Sequence, residues 1–194
     1  MTKDRPSRKA VNTKNFASVG FAFAFSFDEL LSMGLVYTDL TLMHKYVILC
    51  AIMIRIIAGG KKNKDWLAEA CEEYEKRLKK PFDLQWQFVD ESELDAKVLA
   101  LGKDNYVILL DERGEILSSP ALSEKMQRAF ENSKNIVFVV GGAFGHFSPE
   151  MQARADLVWS FSKLVFPHQI CRLILTEQIY RAQEIYLGHP YHHA

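Results

Sequence analysis

The residues able to do chemistry gather in the last third of the chain. An apolar run over 136–140 ends at Gly141-Gly142, with Gly145 close behind. Glycines directly after a buried strand allow unusual φ/ψ and let a ligand approach bare backbone. A second short strand, 156–161, runs into the loop Ser162-Lys163-Leu164-Val165-Phe166-Pro167. A long helical pattern begins near Ile170. Two loops at the ends of neighbouring strands, followed by a helix start, build a small-molecule site in an α/β sheet. Past that point come groups that carry charge or move protons. They are His168, Arg172, Glu177, Tyr180, Arg181 and the tail His189-Pro190-Tyr191-His192-His193. Plain helix capping and surface ion pairing would also account for the charged helix residues. The three tail histidines lack a Cys or carboxylate partner and fall short of a zinc signature, so no metal is expected. Neither glycine pair is diagnostic. GGxxG departs from the dinucleotide fingerprint, and Gly59-Gly60-Lys61-Lys62 lacks phosphate-loop spacing. A structural tight turn explains Gly141-Gly142 about as well.

Holding such loops requires a scaffold, and the rest of the chain supplies one. Residues 54–58 read as a strand and 65–79 as an amphipathic helix, with Trp66, Leu67, Ala70, Tyr74 and Leu78 on one stripe. Glu72–Lys76 and Glu73–Arg77 are i,i+4 pairs on its wet face. Residues 82–89 alternate as a strand. A helix over 91–101 is closed by Gly102 as its cap. The run 106–110 is a buried strand ending in Asp111-Glu112-Arg113-Gly114, and Ser119-Pro120 precede a helix over 121–132. The last helix, 170–187, stops at Gly188, and Trp159 reads as core. Strands alternating with helices predict an α/β fold, a mostly parallel sheet with helices on both faces.

Composition narrows the setting. The chain has 194 residues, 48% apolar and 25% charged, enough for one globular domain with or without an appendage. Net charge is zero, so there is no global basic field and any RNA partner must be met by local patches. Cys50, Cys71 and Cys171 form no CxxC pair and fit reduced thiols in the cytoplasm. Residues 1–52 differ from the rest. They begin basic, and the apolar run 16–27 is too short to span a bilayer. The expected division is an N-terminal extension of uncertain status over 1–52, with Met53 as the true start, and a domain over 53–194. The alternative is one or two extra helices packed on that domain.

Four stretches in order, LLDERG, VVGGAFGHFSPE, SFSKLVFPHQICRLILTEQIYRAQEIY and HPYHH, resemble the SPOUT methyltransferases. Within them the chain is similar to the small RlmH (YbeA-like) family, which methylates N3 of a pseudouridine in helix 69 of 23S rRNA. The resemblance covers 53–194. It implies a fold whose C-terminal segment threads a deep trefoil knot, against the general rule that chains are unknotted. It implies S-adenosylmethionine as cofactor, a homodimer, and a ribosomal substrate, with no membrane. Cofactor-contacting positions then fall on Leu110, Gly142, Ser162, Lys163, Leu164, Val165, Phe166 and Pro167. Leu110, Leu164 and Phe166 would form apolar walls, and bare backbone at Gly142 would permit close approach.

For catalysis the resemblance points to His192 as base or base-positioner, Tyr191 as stacking or hydrogen-bonding partner, and Arg172 as electrostatic stabiliser. The residue types do not rank them. Ala143 and Gln169 stand where the family commonly has proline, and His193 follows His192 where a cation is common. Two rival functions remain: a SPOUT enzyme of another RNA, tRNA or a ribose 2′-hydroxyl, and a ribosome-binding protein with a relict cofactor pocket. The short chain argues against the first, and the intact glycine loop and tail against the second.

Overall fold

A computed structural model describes residues 52–141 and 147–191. Along the chain these form β1 (Ile54–Gly59), α1 (Asp65–Glu75), β2 (Leu84–Val89), α2 (Glu91–Leu99), β3 (Asn105–Ile116), α3 (Ser119–Glu131), β4 (Asn135–Val140), α4 (Pro149–Arg154), β5 (Leu157–Ser160) and α5 (His168–Tyr186). The five strands pair in the order β2-β1-β4-β3-β5, and every pairing is parallel. The expected mostly parallel α/β sheet is therefore entirely parallel among the described residues. Parallel strands covered on both faces need apolar side chains on both, which is why 107–109 and 136–140 carry unbroken apolar runs.

Alternation along the strands divides the core. Ile57, Val107, Leu109, Val137 and Val139 share one face with Leu94 and Val98 of α2 and Met151 of α4. Ile56, Ile108 and Phe138 are the intervening buried residues and point to the other face. There α3 and α5 pack on β4, and α1 packs on α5.

Local chemistry sets the element ends. Ser118 caps α3 by accepting from Ala121 N, with Pro120 in the first turn. Ser119 and Pro120 are thus already helical, not the approach to the helix. Ser148-Pro149 starts α4 in the same way, with Ser148 accepting from Met151 N. That helix was not anticipated. Gly188 at φ +70° ends α5 as expected, a backbone conformation that suits glycine. Gly102 is not such a cap. Helix α2 ends at Leu99 with Ala100 still right-handed, and Gly102 O accepts from Asn105 N and Arg154 Nη2.

Helix α1 stops at Glu75, short of the expected 79. Gln183 of α5 captures the next turn, accepting from Lys79 N at 2.6 Å and donating to Arg77 O at 3.1 Å. Both i,i+4 ion pairs on its wet face form, Lys76–Glu72 at 3.4 Å and Arg77–Glu73 at 3.6 Å. Its buried stripe is Leu67 and Cys71, whereas Trp66, expected on that stripe, is 51% exposed.

Strand β3 also departs from expectation. It does not end at Leu110 but continues to Ile116, with a bulge against β5: Leu110 and Glu115 both lie opposite Trp159. The four residues between them leave the ladder.

Candidate cofactor and substrate site

In an all-parallel sheet the C-terminal strand ends share one edge, where ligands of open α/β sheets bind. Leu110 lies in register with Val140 of β4 and with Trp159 of β5. Gly141 follows Val140 directly, while Gly142 lies outside the described residues. The loop Ser162 to Pro167 leaves β5 at the same edge and delivers the chain to α5. The structure thus brings Leu110, Gly141 and the 162–167 loop to one end of three adjacent strands.

The 162–167 loop is folded by its own polar groups. Ser160 Oγ donates to Ser162 O at 2.6 Å, and Leu164 N donates to Ser162 Oγ at 2.9 Å. Cys171 N donates to Pro167 O at 3.1 Å as α5 begins. Leu164 and Val165 are left 68% and 80% exposed, the two most exposed large apolar side chains among the described residues. Phe166 is half-buried and Lys163 exposed. Exposed apolar walls on a fixed backbone suit a planar, partly apolar ligand that would cover them.

The bulge of β3 begins directly after Leu110 at the same edge, and its internal clamp was missed by sequence reasoning. Asp111 is buried. Its carboxylate accepts from Arg113 N, Nε and Nη2 at 2.9, 2.9 and 2.6 Å. This bidentate pairing holds the Arg113 guanidinium above its ordinary pKa. At Gly114 a β-carbon would fall 2.6 Å from Val158 O and 2.8 Å from Trp159 C. Only glycine lets the bulge close on β5 there. The signal in the sequence was the Asp-x-Arg-Gly spacing directly after a buried strand.

Arg172 sits where its role changes. It was expected to face substrate as an electrostatic stabiliser. Its side chain is instead fully buried. Nη1 donates to Lys61 O and Asn63 Oδ1 at 2.9 and 3.0 Å, and Nη2 donates to Gly59 O at 2.8 Å. The guanidinium also lies over the Phe88 ring, 5.3 Å from its centroid. Burial lowers its pKa, yet no ordinary pH would deprotonate an arginine. Arg172 therefore ties the start of α5 to the loop after β1. One turn earlier, His168 is partly buried, and desolvation followed by the Arg172 charge pushes its pKa down against an opposing pull from Glu91. A histidine so placed stays neutral at physiological pH.

Tyr191 folds back onto α5. Its ring meets Tyr180 edge-on at 4.9 Å, and Arg181 lies 5.0 Å from its centroid. Arg181 pairs with Glu177 at 2.6 Å, and the Tyr191 hydroxyl reaches Glu177 Oε1 at 3.4 Å. Glu177 and Arg181 thus form the ion pair that plain surface pairing would give, and the tail joins it through Tyr191. His192 and His193 lie outside the described residues. His189 Nδ1 is 3.1 Å from Glu184 Oε2. Among the described residues no cluster of His, Cys, Asp and Glu is arranged to hold a metal. No helix among them is long and apolar enough to cross a membrane.

A family model described as "Predicted SPOUT methyltransferase" matches residues 52–192. This chain belongs to the SPOUT methyltransferase family. Several curated SPOUT relatives carry one name, Ribosomal RNA large subunit methyltransferase H. That of Stenotrophomonas maltophilia is 36% identical over 154 residues, covering 72% of this chain and 98% of its own length. The Desulfitobacterium hafniense protein is 37% identical over 159 residues, 73% of this chain and 99% of its own. A Synechococcus protein is 41% identical over 143 residues, 72% and 96%. The SPOUT match thus spans the whole sheet and every described residue of the edge site. A methyltransferase must hold a methyl donor and an acceptor side by side. In this SPOUT chain the C-terminal edge offers the exposed 162–167 loop at the start of α5, while Tyr191 of the tail packs on Tyr180, about three turns further along the same helix.

Proposed function

We propose that this chain transfers a methyl group from S-adenosylmethionine to N3 of a pseudouridine in helix 69 of 23S rRNA on the assembled ribosome. The observation that carries the reading is the 162–167 loop: Leu164 and Val165 exposed at 68% and 80% on a hydrogen-bonded turn, beside Leu110. Its support is that proteins named large-subunit rRNA methyltransferases match this chain over nearly their full length. The working form is a cytoplasmic homodimer, and its C-terminal segment is threaded as a trefoil knot. Part of the α5 surface would then serve as the contact between copies, and a second chain would help hold a large RNA at each site.

Residues fit the cofactor as follows. Leu110, Leu164 and Phe166 would wall the adenosine, and bare backbone at Gly142 and along Ser162 to Pro167 would meet its polar groups. When bound, S-adenosylmethionine supplies an electrophilic methyl group on a sulfonium, so no metal is needed. The protein must align N3 with that methyl group, a proximity effect. The protein would also have to take the N3–H proton as the ring nitrogen is methylated. In this reading His192 would serve as proton acceptor or its positioner, and Tyr191 would exchange its contact with Tyr180 for stacking on the base. Arg172 acts through the frame: it fixes α5 against the β1 loop and keeps its positive charge beside His168, away from direct contact.

Calorimetry of the full-length protein with S-adenosylmethionine tests the cofactor half. Micromolar binding that is weakened by Gly142→Val supports it, since a β-branched side chain would fill the space left by glycine. No detectable binding would make the pocket a relict.

A further inference from the structure

The zero net charge leaves a question about RNA: where on this surface would phosphates be met? The loop leaving β1 carries the answer. Gly60 turns the chain at φ +88°. Lys61, Lys62 and Lys64 follow, all exposed, and then Trp66, 51% exposed. Lys76, Lys80, Lys125 and Lys134 each sit 2.9–3.9 Å from a carboxylate oxygen. Lys61, Lys62 and Lys64 have no such partner among the described residues; neither do Lys79, Lys97, Lys103 and Lys163, but those are scattered, whereas the loop gathers its three in one turn of chain.

Cations on a loose loop would say little, but this loop is fixed. Arg172 takes Gly59 O, Lys61 O and Asn63 Oδ1 from inside the fold. That fixes the backbone under the lysines to the first turns of α5, the helix that begins where the 162–167 loop ends. β1 is also the hydrogen-bonded neighbour of β4. Their C-terminal ends lie about 5 Å apart, one strand spacing. The cationic loop and Gly141, which follows β4, thus leave the sheet at one edge.

We propose that residues 61–66 dock the RNA substrate beside the methyl-transfer site, with Lys61, Lys62 and Lys64 on backbone phosphates and Trp66 stacked on an unpaired base. This rests on the rRNA reading above. Lysines neutralise phosphates as point charges, and an exposed indole offers a face to any splayed base. The backbone clamp holds the cations in place before RNA arrives, so less ordering is lost on binding.

The test uses the full-length protein and ribosomes that lack the modification. Three variants are compared with wild type: Lys61→Gln/Lys62→Gln/Lys64→Gln, the same triple to arginine, and Trp66→Ala. The readouts are kcat/KM for ribosomes across a KCl series, S-adenosylmethionine affinity by calorimetry, and sedimentation. The glutamine triple is expected to make the log–log salt slope shallower by about 2–3. The arginine triple should keep the wild-type slope. Trp66→Ala should lower kcat/KM about tenfold, the loss of one stacked base. Cofactor affinity should not change in any of them. A wild-type slope in the glutamine triple overturns the assignment. So does a changed sedimentation coefficient with the slope intact, which would make the loop a protein contact. If the wild-type protein methylates no ribosomes, the rRNA reading itself fails and the docking assignment falls with it.

Discussion

Arg172→Ala separates two roles that the sequence alone cannot distinguish. A substrate-facing arginine could be removed with little effect on folding. In the structure three hydrogen bonds from a buried guanidinium hold Gly59 O, Lys61 O and Asn63 Oδ1. Each bond from a charged donor contributes about 1.5–3 kcal/mol, and alanine would leave the acceptors unpaired. Relief of the guanidinium's own burial offsets part of that, so the net loss should be about 3–5 kcal/mol, the range for breaking a buried charged contact. At an m-value of about 2 kcal/mol/M, the urea midpoint should fall by about 2 M. Arg172→Lys keeps the charge but not the planar fork and should lose about half as much. Equilibrium urea unfolding, followed by circular dichroism, measures both. Methylation should fall in step with the folded fraction and with loosening of the 61–64 loop. A variant with an unchanged midpoint and no activity would refute the clamp and return Arg172 to the substrate.

Three further outcomes follow from the same geometry. Gly114→Ala should destabilise the fold by about 1–3 kcal/mol, because its β-carbon meets backbone of β5 that cannot yield; a wild-type melting temperature would show that the bulge adapts. Leu164→Ser with Val165→Ser should leave the melting temperature unchanged, since both side chains are exposed, yet weaken S-adenosylmethionine binding about tenfold through lost apolar contact; unchanged affinity by calorimetry would remove them from the cofactor wall. His168 should titrate below its ordinary 6.5 in an NMR pH series, and Arg172→Ala should move it back upward. The unfolded chain takes up that proton first, so stability falls as pH drops from 6.5 through the folded value; a His168 pKa at or above 6.5 would contradict the placement.

Much of the scaffold was legible because strands buried on both faces advertise themselves. The runs around Ile108 and Phe138, and the helical spacing from Leu67 to Cys71, are set by burial alone. The errors lie where a tertiary partner overrides local preference. Gln183 captures the turn after Glu75 and shortens α1, and no local pattern carries that contact. The bulge after Leu110 depends on a close approach of β5, seen only once Gly114 meets Val158. Helix α4 was readable from Ser148-Pro149-Glu150 but is a single short helix of six residues that follows a glycine-rich stretch. At the site, glycine and loop residues could be placed on strand ends from sequence order. The burial of Arg172 could not, because its three acceptors lie 109 to 113 residues away. A charged residue at a helix start ordinarily reads as solvated or ligand-facing.

The most direct test of the central claim is to incubate the full-length protein with isotopically labelled S-adenosylmethionine and ribosomes from a strain lacking the modification, then locate the label by mass mapping of the RNA. The account predicts one methyl group on a pseudouridine of helix 69 in 23S rRNA, and none on naked tRNA offered in the same reaction. Label on tRNA or on a ribose hydroxyl, or none on the large-subunit RNA, would contradict it.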